Sequence, residues 1–168
     1  SNSDVGDHAV ELTATDSNGA TVTQSFTITV TNVNDTPTFT SIPVTSAIED
    51  VAYTYTVATN DVDVNDTLTV TATTKPDWLS FDGTTLSGTP SNSDVGDHAV
   101  ELTATDSNGA TVTQSFTITV TNVNDTPTFT SIPVTSATED VAYTYTVATN
   151  DVDTGDNVTV TATTKPDW

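Results

Sequence analysis

An internal repeat of 90 residues constrains the fold of this chain more than any other feature. Residues 1–78 and 91–168 align without gaps, and the two copies differ at only five positions. The differing pairs are Ile48/Thr138, Val64/Thr154, Asn65/Gly155, Thr67/Asn157 and Leu68/Val158. Near-identity over this length indicates recently duplicated modules in a tandem array. The predicted division is one complete module (37–126), the C-terminal part of a preceding module (1–36) and the N-terminal part of a following module (127–168).

The composition predicts an all-β fold. Threonine supplies 42 of the 168 residues, and β-branched side chains fit the pleated surface of a sheet. The complete module contains about seven short segments in which apolar residues alternate with polar ones, many of them threonine. They lie at residues 39–44, 51–58, 67–73, 78–81, around 86, 98–105 and 113–121, and Asp82 and Gly83 supply a hairpin turn. This pattern predicts tandem antiparallel Greek-key β-sandwich modules.

The charge of the chain restricts its partners. The formal net charge is −21, with 23 acidic residues against two lysines and no arginine. Such a surface repels nucleic acids and anionic membranes, and it favours divalent cations as partners. The absence of cysteine excludes disulfides and thiolate metal sites. No apolar run approaches the length of a membrane span, and no signal peptide is visible in the sequence.

The same eleven letters, TVTNVNDTPTF, occur at residues 29–39 and 119–129. Each copy begins as a strand, passes through a polar Asn-Asp pair, and is stopped by Pro37 or Pro127. We therefore interpret the stretch as the last strand of one module, a short stiff joint, and the entry to the next module. The side-chain and main-chain oxygens of this joint are of the kind that calcium binds.

Several further motifs resemble a known family. Residues 101–110 (ELTATDSNGA) and 119–127 (TVTNVNDTP) resemble the end of a cadherin-type repeat. Residues 138–143 (TEDVAY) and 151–156 (DVDTGD) resemble the beginning of one. The runs WLSFDG at 78–83 and LSGTP at 86–90 narrow the resemblance to the dystroglycan-type cadherin-like, or immunoglobulin-like, repeats of large bacterial extracellular adhesins.

The resemblance implies calcium at the joints, bound by carboxylates from the end of the first strand, from a loop and from the linker. At the first joint the implied ligands are Asn34, Asp35, Asp61, Asp63, Asp66 and Asp106. At the second joint they are Glu49, Asp94, Asp97, Asn124, Asp125, Asp151, Asp153 and Asp156. The family carries a fuller acidic motif where this chain has Asp94 and Asp97. The alternative interpretation is that these acids cap turns and keep the surface soluble.

The function expected from the sequence is a calcium-rigidified extender repeat of a bacterial cell-surface adhesin, acting as a structural spacer in cell adhesion. The alternative is a carbohydrate-binding or protein-binding cadherin-like module attached to a secreted glycan-degrading enzyme. Expected partners are calcium ions and neighbouring repeats, including head-to-tail self-association through the two partial modules. No enzymatic activity is expected, because no Ser, Thr or carboxylate pair stands in an activating context. His8 and His98 are interpreted as solvated strand-edge residues, and Trp78, Tyr53 and Tyr55 as core residues.

Overall fold

The computed structural model describes residues 1–168, which form thirteen β-strands and two short 3-10 turns. The strands are β1 (Gly6–Thr15), β2 (Thr21–Val30), β3 (Thr38–Phe39), β4 (Ser46–Ile48), β5 (Tyr53–Thr56), β6 (Thr59–Asn60), β7 (Thr69–Thr74), β8 (Leu79–Phe81), β9 (Thr85–Gly88), β10 (Gly96–Thr105), β11 (Thr111–Thr121), β12 (Thr128–Phe129) and β13 (Thr149–Asn150). The 3-10 turns are Asn2–Asp4 and Asn92–Asp94. No helix has the length and apolar character required to cross a membrane.

Two sheets build the complete module. One has the order β4-β11-β10-β7, and the other has the order β5-β9-β8. All neighbours are antiparallel except β4, which lies parallel to β11, and β3 pairs with β6 in a separate short ribbon. Of the predicted first strand at residues 39–44, only Phe39 lies in a strand. The chain passes Pro43, which cannot donate to a ladder, before it joins the edge of the four-stranded sheet as β4. The all-β sandwich is confirmed, whereas the module boundaries stay a prediction.

The core lies between the two sheets. It contains Leu86 from one sheet and Leu102 and Ile118 from the other, all fully buried, while the intervening threonines face outward. Tyr55 and Phe116 meet edge to face, and the Tyr53 hydroxyl donates to the Val44 carbonyl across the module. Burial, with a smaller contribution from Tyr55, raises the pKa of Tyr53 to about 12. The tyrosines therefore pack as core residues, as the alternation predicted.

Gly88 lies where the chain approaches Trp78 most closely. A Cβ atom at this position would stand 2.0 Å from the Trp78 carbonyl oxygen and 3.2 Å from its indole ring. Trp78 cannot withdraw easily, because its ring packs edge-on against both Tyr53 and His98. The aromatic side chain is thus committed to packing, which agrees with its interpretation as a core residue.

We expect Gly88→Ala to destabilise the complete module by about 1–3 kcal/mol or more, because the added methyl group meets backbone atoms. Chemical denaturation monitored by tryptophan fluorescence measures the change. Gly83→Ala is a useful comparison, since that glycine has open space around its Cβ position but a φ of +100°. If Gly88→Ala has no effect on the denaturation midpoint, the close contact with Trp78 is not maintained in solution.

The N-terminal strands β1 and β2 reproduce the β10–β11 hairpin without a partner sheet. The register is the same in both, since Leu12 pairs with Gln24 as Leu102 pairs with Gln114. The surroundings differ, because the side chain of Leu12 is 52% exposed whereas that of Leu102 is fully buried. The local sequence therefore specifies the hairpin, and the facing sheet supplies its burial.

Residues 127–168 contain less strand than the sequence predicts. As a repeat of residues 37–78, this part is expected to form about three strands, but only the short β12–β13 ribbon forms. In the complete module, β4 pairs with β11, β5 with β9, and β7 with β10. Residues 127–168 include no counterparts of β9, β10 or β11, so the segments equivalent to β4, β5 and β7 have no ladder to join. The prediction was wrong here because strand formation depends on pairing as well as on alternation.

Candidate metal centre

Three carboxylates converge in the loop that follows β6. One oxygen atom from each of Asp61, Asp63 and Asp66 lies within 4.8 Å of the others. The Asp63 amide donates to Asp61 Oδ1 at 2.9 Å, which folds the loop so that alternate acids point to the same side. We call residues 61–66 the first acidic loop and residues 151–156 the second acidic loop.

The first joint lies directly against the first acidic loop. The Asp35 amide donates to Asp63 Oδ2 at 2.7 Å, and Asn34 Nδ2 donates to Asp106 Oδ2 at 2.8 Å. Asp63 and Asp106 are only 6% and 5% exposed, which is unusual for carboxylates. The six ligands proposed for this joint lie on three chain segments, and hydrogen bonds connect the linker to both the first acidic loop and the turn between β10 and β11.

The pKa of Asp106 lies below its ordinary value because several donors stabilise its carboxylate. The Asn34 side-chain amide contributes most, burial opposes it, and the backbone amides of Ala110, Asn108 and Gly109 add to the lowering. The residue closes the β10–β11 turn through two of these bonds, of 2.9 and 2.8 Å. Asp106 thus caps a turn and also faces the joint. Its position is compatible with both sequence interpretations, the turn-capping acid and the calcium ligand.

The second joint repeats this arrangement. Asp151, Asp153 and Asp156 also bring their oxygens within 4.8 Å of one another, and the Asp125 amide donates to Asp153 Oδ2 at 2.7 Å. From the complete module, Glu49 reaches the joint with its side chain 1% exposed and accepts a hydrogen bond from the Val123 amide at 3.0 Å. Acids from two consecutive modules therefore meet at one linker.

Several negative charges surround Asp125 at the second joint. The pKa of Asp125 is raised, first by burial and then by the negative charges of Asp153, Glu49, Asp50 and Asp151. Of these neighbours, Asp50 was not among the residues expected from the sequence. It has a φ of 58°, in the left-handed region that Asp tolerates better than most residues, and this conformation turns the chain beside Glu49. The Glu-Asp pair at 49–50 is the sequence signal that identifies both residues.

Asp94 and Asp97 have other contacts. Asp94 Oδ2 accepts hydrogen bonds from the backbone amide and the hydroxyl of Ser91, which closes a capping box, and these bonds lower its pKa. Asp97 accepts a hydrogen bond from the Thr119 hydroxyl across the β10–β11 ladder. The structure thus uses one acid in a turn and the other on a sheet surface, and their role as ligands stays a prediction.

His98 differs from the expectation of a solvated strand-edge residue. Its ring is half-buried, stacks edge-on with Trp78, and its Nε2 lies 2.6 Å from the Asp94 carbonyl oxygen. The equivalent His8 is exposed but makes the same contact with Asp4. In both copies, the contact between the histidine ring and the last carbonyl group of the 3-10 turn helps to hold the turn in place.

Sequence reasoning missed three asparagines at the joints. Asn2 and Asn92 begin the two 3-10 turns and donate to carboxylates of the acidic loops, and Asn108 donates to Asn34 Oδ1 at 2.5 Å. Their only sequence signal is position, since they lie in turns at the module ends that meet the linkers. Amides also supply the oxygen atoms that calcium accepts as ligands.

The residues present fit a calcium ion. The groups that converge in each acidic loop are aspartate carboxylates, and neither histidine nor cysteine takes part. Carboxylate oxygens are the ligands that a hard cation prefers. One oxygen of the first acidic loop, Asp61 Oδ2, is buried and accepts no hydrogen bond from the protein. Since a buried, unpaired carboxylate oxygen is costly, a cation bound beside it would offset this cost.

Comparison with known proteins agrees with this fold. The sandwich defines a cadherin-like or immunoglobulin-like module, and the model of the family described as "Putative Ig domain" matches residues 36–121. This match covers half of the sequence, and the chain belongs to that family. No curated protein matches the sequence significantly.

Solved structures with a similar fold include cadherins. Protocadherin Gamma B2 extracellular cadherin domains 1–5 match with a TM-score of 0.56 and 22% identity, over 89% of this chain and 33% of that one. The Protocadherin GammaB4 extracellular domain gives 0.58 and 16%, over 89% and 29%. An endo-fucoidan hydrolase of glycoside hydrolase family 107, MfFcnA4, gives 0.47 and 27%, over 73% and 20%. This chain spans between 19% and 44% of the length of the structures it matches, and the cadherin likenesses show the fold.

Proposed function

We propose that the chain is a calcium-rigidified extender segment of a bacterial cell-surface adhesin, acting outside the cell as a structural spacer. The observation that carries this proposal is that each linker gathers acids from more than one chain segment, as with Glu49, Asp125 and Asp153 at the second joint. Membership in a family of immunoglobulin-like domains and the cadherin-like fold support a non-catalytic, extracellular role. The projection of a distal binding domain completes the proposal.

The role of calcium follows from electrostatics. Two carboxylates about 5 Å apart repel by roughly 3 kcal/mol at an effective dielectric constant near 20. The three acids of each acidic loop are this close. With only two lysines and no arginine in the chain, few cationic side chains are available to offset the repulsion. A divalent cation reverses the sign of the interaction, so the joint stiffens when calcium binds and loosens when it is removed. Calcium sites of extracellular modules commonly have dissociation constants near 10⁻⁴–10⁻³ M, which suits extracellular calcium concentrations.

The direction of the strands suits a spacer. The β10–β11 hairpin runs the length of the module, with Asp106 of the first joint at its turn and Thr121 leading into the second joint at its other end. Ten residues of extended strand span about 33 Å. Each module therefore separates its two joints by roughly this distance, and rigid joints would add the distances in one direction.

Small-angle X-ray scattering tests the spacer function. We expect the maximum dimension to be larger and better defined with calcium than with a chelator, because the joints stop bending. A glycan array distinguishes the alternative function, since saturable binding of a polysaccharide would favour a carbohydrate-binding module. A maximum dimension that ignores chelation would contradict the rigidification of the joints.

Self-association of the partial modules is part of the proposal. In the complete module, Leu102 pairs with Ala72 and Val120 with Ala47. The repeat of 90 residues gives the corresponding pairs Leu12 with Ala162 and Val30 with Ala137, which lie at opposite ends of the chain. The apolar side chains Leu12, Phe26 and Ile28 are 43–52% exposed on the hairpin, so they offer a second copy an unpaired face. Such a head-to-tail contact propagates as a fibre.

We expect the mean mass measured by light scattering to rise with concentration, and we expect deletion of residues 127–168 to abolish the rise. The deletion removes the segments that would complete the β1–β2 hairpin in a second molecule. A strictly monomeric protein over the whole concentration series, with fast amide exchange in residues 1–36, would exclude this contact.

A further inference from the structure

Each joint contains an asparagine from the 3-10 turn of the preceding module that bonds to the acidic loop of the following one. At the first joint, the bond from Asn34 to Asp106 is a second contact between the two modules. Asn2 Nδ2 lies 2.9 Å from Asp35 Oδ2 and 3.4 Å from Asp63 Oδ1. Asn92 Nδ2 lies 2.8 Å from Asp153 Oδ1 and 3.4 Å from Asn122 Oδ1. Both asparagines thus reach the second acid of the acidic loop, 61 residues further along the chain in each case.

The orientation of these amides is dictated by their neighbours. A carboxylate oxygen accepts hydrogen bonds and cannot donate them, so the NH₂ group of the asparagine must face Asp63 or Asp153. Hydrogen bonds from an amide to a charged carboxylate are stronger than those between neutral groups. The contact therefore opposes the mutual repulsion of the acids at the point where two modules meet.

Local contacts hold the turn that carries the asparagine in a fixed conformation. Asn92 is the first residue of the 3-10 turn Asn92–Asp94, which is closed by the capping box between Ser91 and Asp94. The half-buried His98 ring holds the Asp94 carbonyl at 2.6 Å. The same turn, with the same capping box and histidine contact, precedes the first joint at Asn2–Asp4. Asp94 therefore contributes to the joint indirectly, because its capping box holds the turn that positions Asn92.

We propose that Asn2 and Asn92 are positioning residues that limit the bending of the joints when no cation is bound. Each links the preceding module to the second acid of the following acidic loop, and this link remains when calcium is withdrawn. The inference rests on the proposed function only in that it concerns the same joints. When a cation engages these carboxylates, the amide hydrogen bonds compete with it, so the asparagine also moderates the affinity for calcium.

Distance measurements between two spin labels test the proposal at the first joint. The chain has no cysteine, so Thr23→Cys on the hairpin and Thr71→Cys on the complete module, both exposed, give two unique labels. In a chelator, Asn2→Ala is expected to broaden the distance distribution about twofold, because its charge-assisted hydrogen bonds are lost. Ser3→Ala is the matched control, since Ser3 is exposed in the same turn and its hydroxyl forms a hydrogen bond only with the Ser1 hydroxyl. The control should keep the distribution of the parent protein.

Asn2→Asp gives a second test, because it should weaken the joint without calcium and strengthen the binding of calcium. The substitution replaces a donor by a carboxylate of the same shape, so it should broaden the distribution in a chelator. It should also tighten calcium binding about tenfold, because charge count tunes the affinity of such sites. Equal distributions for the parent protein, Asn2→Ala and Asn2→Asp in a chelator would overturn the proposal. The measurements in a chelator test only the role of the asparagines. If calcium fails to narrow the distance distribution of any of these proteins, that result would count against the proposed calcium function.

Discussion

Removal of calcium is expected to lower the melting temperature of the protein by roughly 10–20 °C. A ligand that binds only the folded state at 100 times its dissociation constant adds about 2.7 kcal/mol to stability. For a module of this size, each kcal/mol corresponds to about 4–8 °C. The physical source is the convergence of Asp61, Asp63 and Asp66 within 4.8 Å, which is repulsive without a cation. Differential scanning calorimetry with calcium and then with a chelator measures the shift.

Single charge removals localise this effect. We expect Asp61→Asn and Asp63→Asn to reduce the calcium-dependent shift step by step, because each takes one charge from the first acidic loop. Asp77→Asn is the matched control, since Asp77 is exposed and lies outside both acidic loops. A shift that falls equally in all three variants would indicate a general effect of net charge and would contradict a site at the joint.

Leu102→Ala is expected to destabilise the complete module by about 2–5 kcal/mol, the range for truncating a fully buried leucine. Leu102 has no exposed surface and lies in the core with Leu86 and Ile118. The cost combines the lost burial of the side chain with the cavity left behind. Urea denaturation monitored by tryptophan fluorescence measures the difference in free energy of unfolding.

The chain contains its own control for this substitution. Leu12 occupies the same position of an identical ten-residue strand, but its side chain is 52% exposed. Leu12→Ala should therefore change the unfolding of the complete module by less than about 0.5 kcal/mol, the usual range for surface positions. Equal losses from the two substitutions at a concentration where the protein is monomeric would mean that the hairpin β1–β2 is buried within one molecule, as β10–β11 is.

Alternation and turn chemistry were sufficient to predict most of the complete module. The apolar positions of β10 and β11, and the hairpin at Asp82, appear where the period of two placed them. Residues 127–168 show the limit of this reasoning. They repeat residues 37–78 at all but five positions, yet the equivalents of β4, β5 and β7 do not form. A strand needs a neighbour, and a sequence pattern does not show whether that neighbour is available.

The candidate site was predictable where acids follow one another closely in sequence. Alternate acids in the loop after β6 predicted the convergence of Asp61, Asp63 and Asp66, which the structure shows. Asn2 and Asn92 were missed because their partners lie 61 residues away and only the meeting of two modules brings them together. The carboxylate of Asp94 accepts hydrogen bonds from Ser91, three residues earlier, and its role as a ligand stays a prediction.

Isothermal titration calorimetry with calcium tests the central claim most directly. The account predicts saturable calcium binding by the protein and its loss in the double variant Asp63→Asn/Asp153→Asn. These two residues are the most buried acids of their loops, and each accepts a hydrogen bond from the linker. A protein that binds no calcium, or a double variant that binds it unchanged, would contradict the account.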